Sequence, residues 1–107
     1  MSAYGNAMGF ERLTVTSTAI KTLTPSKYQP ANFTNNVQAS VAMITVDGTA
    51  GSNDIRYTID ATAPTTSTGH LVAAGQGVVV YGWNNIKNFQ GIATGTTTTI
   101  QVTYFKS

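Results

Sequence analysis

Apolar and polar residues alternate with a period of two along most of the chain. Leu13 and Val15 fall on one side of an extended backbone and Thr14 and Thr16 on the other, the pattern of a strand with one face in a core. Thr18, Ile20 and Thr22 continue it past a bend near Ser17, and Pro25 and Pro30 close the segment, because proline has no N–H to give to a ladder. Residues 25–36 read as a turn-rich loop pinned to the core edge by Tyr28 and Phe33. In the next strand Val37, Ala39, Val41 and Met43 share one face, and Ala42, Ile44 and Val46 the other. Apolar residues on both faces predict a central strand, or one covered by a partner.

After a turn from Asp47-Gly48 to Asn53, a strand over 54–60 points Ile55, Tyr57 and Ile59 inward and Arg56 and Thr58 outward. Residues 61–70 are loop, and 71–74 a short strand. Gly75-Gln76-Gly77 turns into a strand over 78–83, and Asn84-Asn85 turns again. Over 86–94, Ile86, Phe89 and Ile92 break strict alternation, which predicts a bulge. In the last strand Ile100, Val102 and Tyr104 lie on one face and Gln101, Thr103 and Phe105 on the other. No segment keeps apolar residues at helical spacing, so little or no helix is expected. About seven or eight short strands between turns predict an all-β fold: a single antiparallel β-sandwich, of jelly-roll or immunoglobulin-like topology. Residues 1–9 are small and aperiodic and read as an N-terminal arm; residues 10–107 form the sandwich domain.

Composition sharpens this picture. Charged residues make up 9% of the chain, against about 25% in an average soluble protein. In their place stand 19 threonines, 10 glycines, 8 asparagines and 7 serines. Threonine is β-branched and suits strands, and it keeps a surface polar without charge. Such a surface costs less to dehydrate against a neighbour than one carrying Lys and Glu. The net charge is +2, and the cations form no run or stripe, which argues against a nucleic-acid partner. Cysteine is absent, which excludes a thiolate nucleophile or thiolate metal site. Neither a signal peptide nor an apolar stretch of membrane-spanning length, about 20 residues, is found, so no membrane partner is expected.

The chemistry-bearing residues are few. His70 is the one histidine and sits in a Thr/Gly turn, with no G-x-S-x-G elbow elsewhere. Glu11, Asp47, Asp54 and Asp60 are the four carboxylates. The aspartates stand at turns and strand ends, where a carboxylate caps backbone N–H groups. Zinc needs three or four ligands that one histidine cannot anchor, and Asp47 with Asn53-Asp54 makes only a thin calcium site. Asn32-Phe33-Thr34 fits a glycosylation sequon. Tyr81 and Trp83 share strand parity and, with Tyr57, offer either core packing or an aromatic platform for carbohydrate. These readings predict no catalytic residues, no cofactor and no metal, and therefore no enzyme.

Residues 55–65, Ile-Arg-Tyr-Thr-Ile-Asp-Ala-Thr-Ala-Pro-Thr, resemble the Y-T-x-D-G-T-x-P-T turn of small bacteriophage virion proteins. A similar turn occurs in the immunoglobulin-like C-terminal domains of chitobiase-type enzymes. The likeness to the phage group continues in order through Thr68-Gly69-His70-Leu71, Val78-Val79-Val80, Asn85-Ile86-Lys87-Asn88-Phe89-Gln90-Gly91-Ile92 and Val102-Thr103-Tyr104-Phe105. It spans roughly residues 54–105. Ala61 stands where the phage motif has Gly, and Gln90 where a basic residue is common.

The resemblance implies a phage structural protein of the capsid cement or decoration type. Such a protein resides in the virion, is assembled in the bacterial cytoplasm, contacts the major capsid protein or other virion proteins, and associates with itself. The alternatives are a neck, tail or fibre-base protein and a carbohydrate-binding module. The contact residues expected from the arm and first long loop are Tyr4, Met8, Phe10, Tyr28 and Phe33.

Overall fold

The computed structural model describes residues 5–29 and 38–106. In chain order the elements are β1 (Asn6–Val15), β2 (Lys21–Thr22), α1 (Pro25–Tyr28), β3 (Val41–Val46), β4 (Ile55–Thr58), β5 (His70–Val72), β6 (Gly77–Tyr81), α2 (Trp83–Lys87), β7 (Gln90–Ala93) and β8 (Thr98–Lys106). The strands form two four-stranded sheets, in the orders β1-β8-β3-β6 and β2-β7-β4-β5. Every pairing is antiparallel.

The partners are nested. β1 pairs with β8, β2 with β7, β3 with β6 and β4 with β5, as in one long hairpin folded over on itself. The β3–β8 and β4–β7 pairings then complete each sheet. This is jelly-roll topology, one of the two that alternation left open. Local pattern fixes which face of a strand is buried, but the choice of partner comes from how the two inner faces meet.

Those inner faces make the core. From the first sheet come Val15, Ala42, Ile44, Val46, Val80, Ile100, Val102 and Tyr104, and from the second Ile55, Val72 and Ala93. Leu23, Ile86 and Phe89 close the space between them and are all but fully buried. Each such side chain contributes roughly 1.5–3 kcal/mol on leaving water. The inward set of β8 (Ile100, Val102, Tyr104) is the one its alternation predicts, and β3 is a central strand.

Three features refine the sequence expectation. First, β1 reaches back to Asn6, into the segment read as an arm, and pairs as far as Asn6 with Lys106. The register slips between Ala7 and Gly9, so Met8 is an extra residue in a bulge, and an extra residue erases the period of two. The backbone approach is close here: a Cβ at position 9 would stand 3.2 Å from the Lys27 carbonyl oxygen, which would have to give by a few tenths of an ångström.

Second, helix is as scant as expected and is confined to two single turns, α1 and α2. α1 is a single turn with proline in its first turn, where the missing N–H has no intrahelical partner to lose. Third, the bulge expected over 86–94 is instead the single helical turn α2. Gly82, at φ +96°, ends β6 at Tyr81 and turns the chain into Trp83–Lys87. Asn85 Nδ2 donates to the Tyr81 carbonyl at 2.8 Å and holds that corner. One turn is too short to show helical spacing, so Ile86 and Phe89 read as irregular strand.

Candidate functional site

The outward face of β1-β8-β3-β6 is built by cross-strand rows. Register places Phe10, Thr103, Met43 and Val79 in one row. Arg12, Gln101, Thr45 and Gly77 form the next toward one end. Ala7, Phe105, Val41 and Tyr81 form the row on the other side. Two of the three rows are therefore mainly apolar, on the side of the sheet facing away from the core. Phe10 is 54% exposed and Tyr81 59%; Met43, Val79 and Phe105 are half-buried and Val41 is buried. Arg12 and Thr45 are exposed. Asp47, just past β3, accepts from Gln101 Nε2 at 2.8 Å.

A jelly-roll sheet that met only water on its outer side would alternate apolar-in with polar-out. The row from Phe10 to Val79 breaks that rule on three of the four strands, with Thr103 of β8 the polar member. Its signal in the sequence was the apolar residue on both faces of β3, read there as a central or partner-covered strand. The contributions of Val79 and Tyr81 were not foreseen, because Val78-Val79-Val80 has no polar alternation to show which residues point outward.

The expected contact residues fall differently. Phe10 is on this face and exposed. Met8 packs against the core from the bulge. Tyr28, expected at a contact, is instead a core side chain at 5% exposure. Its ring meets Trp83 edge-on at 5.3 Å and Tyr104 at 6.0 Å, because α1 tucks it under the sheet. Tyr4, Phe33 and the Asn32 sequon lie outside the described residues.

The residues weighed for chemistry have structural partners. Asp54 Oδ1 accepts from the backbone N–H groups of Gly51 and Ala74, each at 3.0 Å. Asp60 Oδ1 accepts from Thr62 N–H at 3.0 Å, and hydrogen bonding from Thr62, its backbone first and its side chain next, holds the Asp60 carboxyl below the usual carboxylate range. His70 is exposed, with its ring 5.4 Å from that of Tyr57. Tyr57 in turn stacks on Phe89, ring centres 5.6 Å apart. Of the two roles open to Tyr81 and Trp83, Trp83 takes core packing, since it belongs to α2, packs against the core and leans on Tyr28, while Tyr81 stays on β6. Among the described residues there is no pocket and no cluster of three His, Asp or Glu side chains. Nor is any helix among them long and apolar enough to cross a membrane.

One polar cluster escaped the sequence reading. Glu11 is buried, and its carboxylate accepts from Thr24 N–H at 3.0 Å, from Thr24 Oγ1 at 2.5 Å and from the Tyr104 hydroxyl. It ties β1, the start of α1 and β8 together beneath the outward face. The only hint in the sequence was a glutamate on the inward parity of a strand.

No family model matches the chain, and no curated protein or solved structure matches it.

Proposed function

We propose that this chain is a non-enzymatic structural protein of a bacteriophage virion, a capsid cement or decoration protein that works by surface contact. The observation that carries the reading is the outward row Phe10–Thr103–Met43–Val79. Three of its four strands present apolar side chains there, to the outside of a domain whose surface is otherwise threonine-rich and nearly uncharged. A face of that kind loses little on dehydration and gains from burial, so it suits lateral packing against the major capsid protein or another virion protein.

Two further points support the virion. The motif likeness over residues 54–105 is to phage virion proteins. The jelly roll is a recurrent architecture of viral capsid domains, although also of lectins, and fold alone does not assign function. The lectin reading lacks its ring pair here, since Trp83 and Tyr81 do not share a face.

Cryo-electron microscopy of phage particles purified from cells that make this chain tests the reading. The expected density is a repeated jelly roll on the head surface at symmetry-related positions. Density confined to the neck or tail moves the protein to the alternative virion site, and absence from particles overturns the proposal.

A further inference from the structure

We infer that the outward face of β1-β8-β3-β6 pairs with the same face of a second copy, about a two-fold axis running parallel to the strands. The inference rests on the contact reading of that face and names its partner. An axis of this kind, placed midway between β8 and β3, lays β1 of one copy over β6 of the other and β8 over β3. Each cross-strand row then faces itself in reverse order.

In that arrangement large residues meet small ones. Phe10 lies over Val79, and Thr103 over Met43. In the next row Arg12 lies over Gly77, which has no side chain to obstruct it. Packed sheets sit about 10 Å apart, with strands within about 30° of alignment, so complementary row volumes are what such a contact needs. An axis across the strands would instead stack β1 on β1 and put Phe10 against Phe10.

Charge agrees with the same axis. Arg12 and Asp47 flank Gln101 on this face, one beside it in the row and the other bonded to its amide. The two-fold carries Arg12 of one copy diagonally toward Asp47 of the other, twice, as an isologous contact requires. The two Arg12 side chains end on opposite margins of the interface.

Area sets the strength. Four strands at about 4.8 Å spacing and some six residues of length cover roughly 400 Å² per copy. That is near 800 Å² in total, below the usual range of stable complexes. The association is therefore weak, and dominant only where copies are concentrated, as on an assembled surface.

Sedimentation equilibrium up to millimolar concentration tests this, with Phe10→Asp as the probe and urea unfolding to show that the variant is folded. Wild type should dimerise reversibly, and Phe10→Asp should raise the dissociation constant about tenfold or more. The chain has no cysteine, so Phe10→Cys and Val79→Cys proteins can be joined by a short bis-maleimide. Crosslinks should form in the mixture of the two and not within either alone. Crosslinking of Phe10→Cys with itself overturns the axis. A dimer that survives Phe10→Asp unchanged overturns the face. A wild type monomeric at millimolar concentration overturns the pairing, yet leaves the virion role, which is read on particles.

Discussion

The Tyr104 hydroxyl donates to the Glu11 carboxylate across 93 residues of sequence, inside a core where Tyr104 has no solvent exposure. The bond joins the first strand to the last. With the two donors from Thr24 it satisfies a carboxylate that would otherwise be stranded. Tyr104→Phe removes one donor and leaves the buried charge short of a partner. A loss of about 1.5–3 kcal/mol is expected for a hydrogen bond to a charged group, read as a lower urea midpoint with an unchanged slope.

The same burial makes stability sensitive to alkali. Desolvation, and next the bond to Glu11, push the Tyr104 phenol far above its ordinary value of 10.0. Burial also raises Tyr28, with the Glu11 charge adding to it, and burial raises Tyr57. A raised folded value means that the native state keeps its proton while the unfolded chain loses it. The stabilisation is therefore complete below about pH 10 and falls above it, at up to about 1.4 kcal/mol per pH unit for Tyr104. Urea midpoints followed by Trp83 fluorescence should decline above pH 10, and less steeply in Tyr104→Phe. A flat profile in the wild type contradicts this account of the core.

Ala61 holds φ at +69°, the one non-glycine with positive φ among the described residues. A left-handed conformation costs an L-residue with a Cβ roughly 1–2 kcal/mol; glycine avoids that at an entropic cost of about 0.5–1 kcal/mol. Ala61→Gly should therefore stabilise by a few tenths to about 1 kcal/mol, a rise of a few degrees in Tm. A fall in Tm would show that the turn is not strained.

Gly77 has the opposite sensitivity. A Cβ there would stand 2.8 Å from the Ile44 carbonyl oxygen and 3.3 Å from the Thr45 methyl, so β3 and β6 would have to move apart. Gly77→Ala should cost about 1–3 kcal/mol, measured by urea unfolding. An unchanged midpoint would mean that the β3–β6 pairing has slack at this row.

The sandwich was legible where alternation was clean. Ile100, Val102 and Tyr104 on β8, and Leu13 and Val15 on β1, declare the buried face by spacing alone. Legibility failed where a local event breaks the period. The extra residue at Met8 hid four residues of β1, and the single turn after Gly82 made α2 read as a bulge and stranded Trp83 on the wrong element. The nested pairing and the Glu11–Tyr104 bond were out of reach, because register between distant strands is set by packing and not by neighbours in sequence. Of the candidate face, Phe10 and the two-faced β3 were visible, but the row that unites them exists only once β1, β8, β3 and β6 lie side by side.

The proposed role is that of a repeated contact-making part of a particle. Quantitative mass spectrometry of purified particles, with the major capsid protein as internal standard, tests it most directly. The account predicts a copy number on the order of that of the capsid protein. A chain missing from the particles, or found free and turning over a substrate, would contradict it.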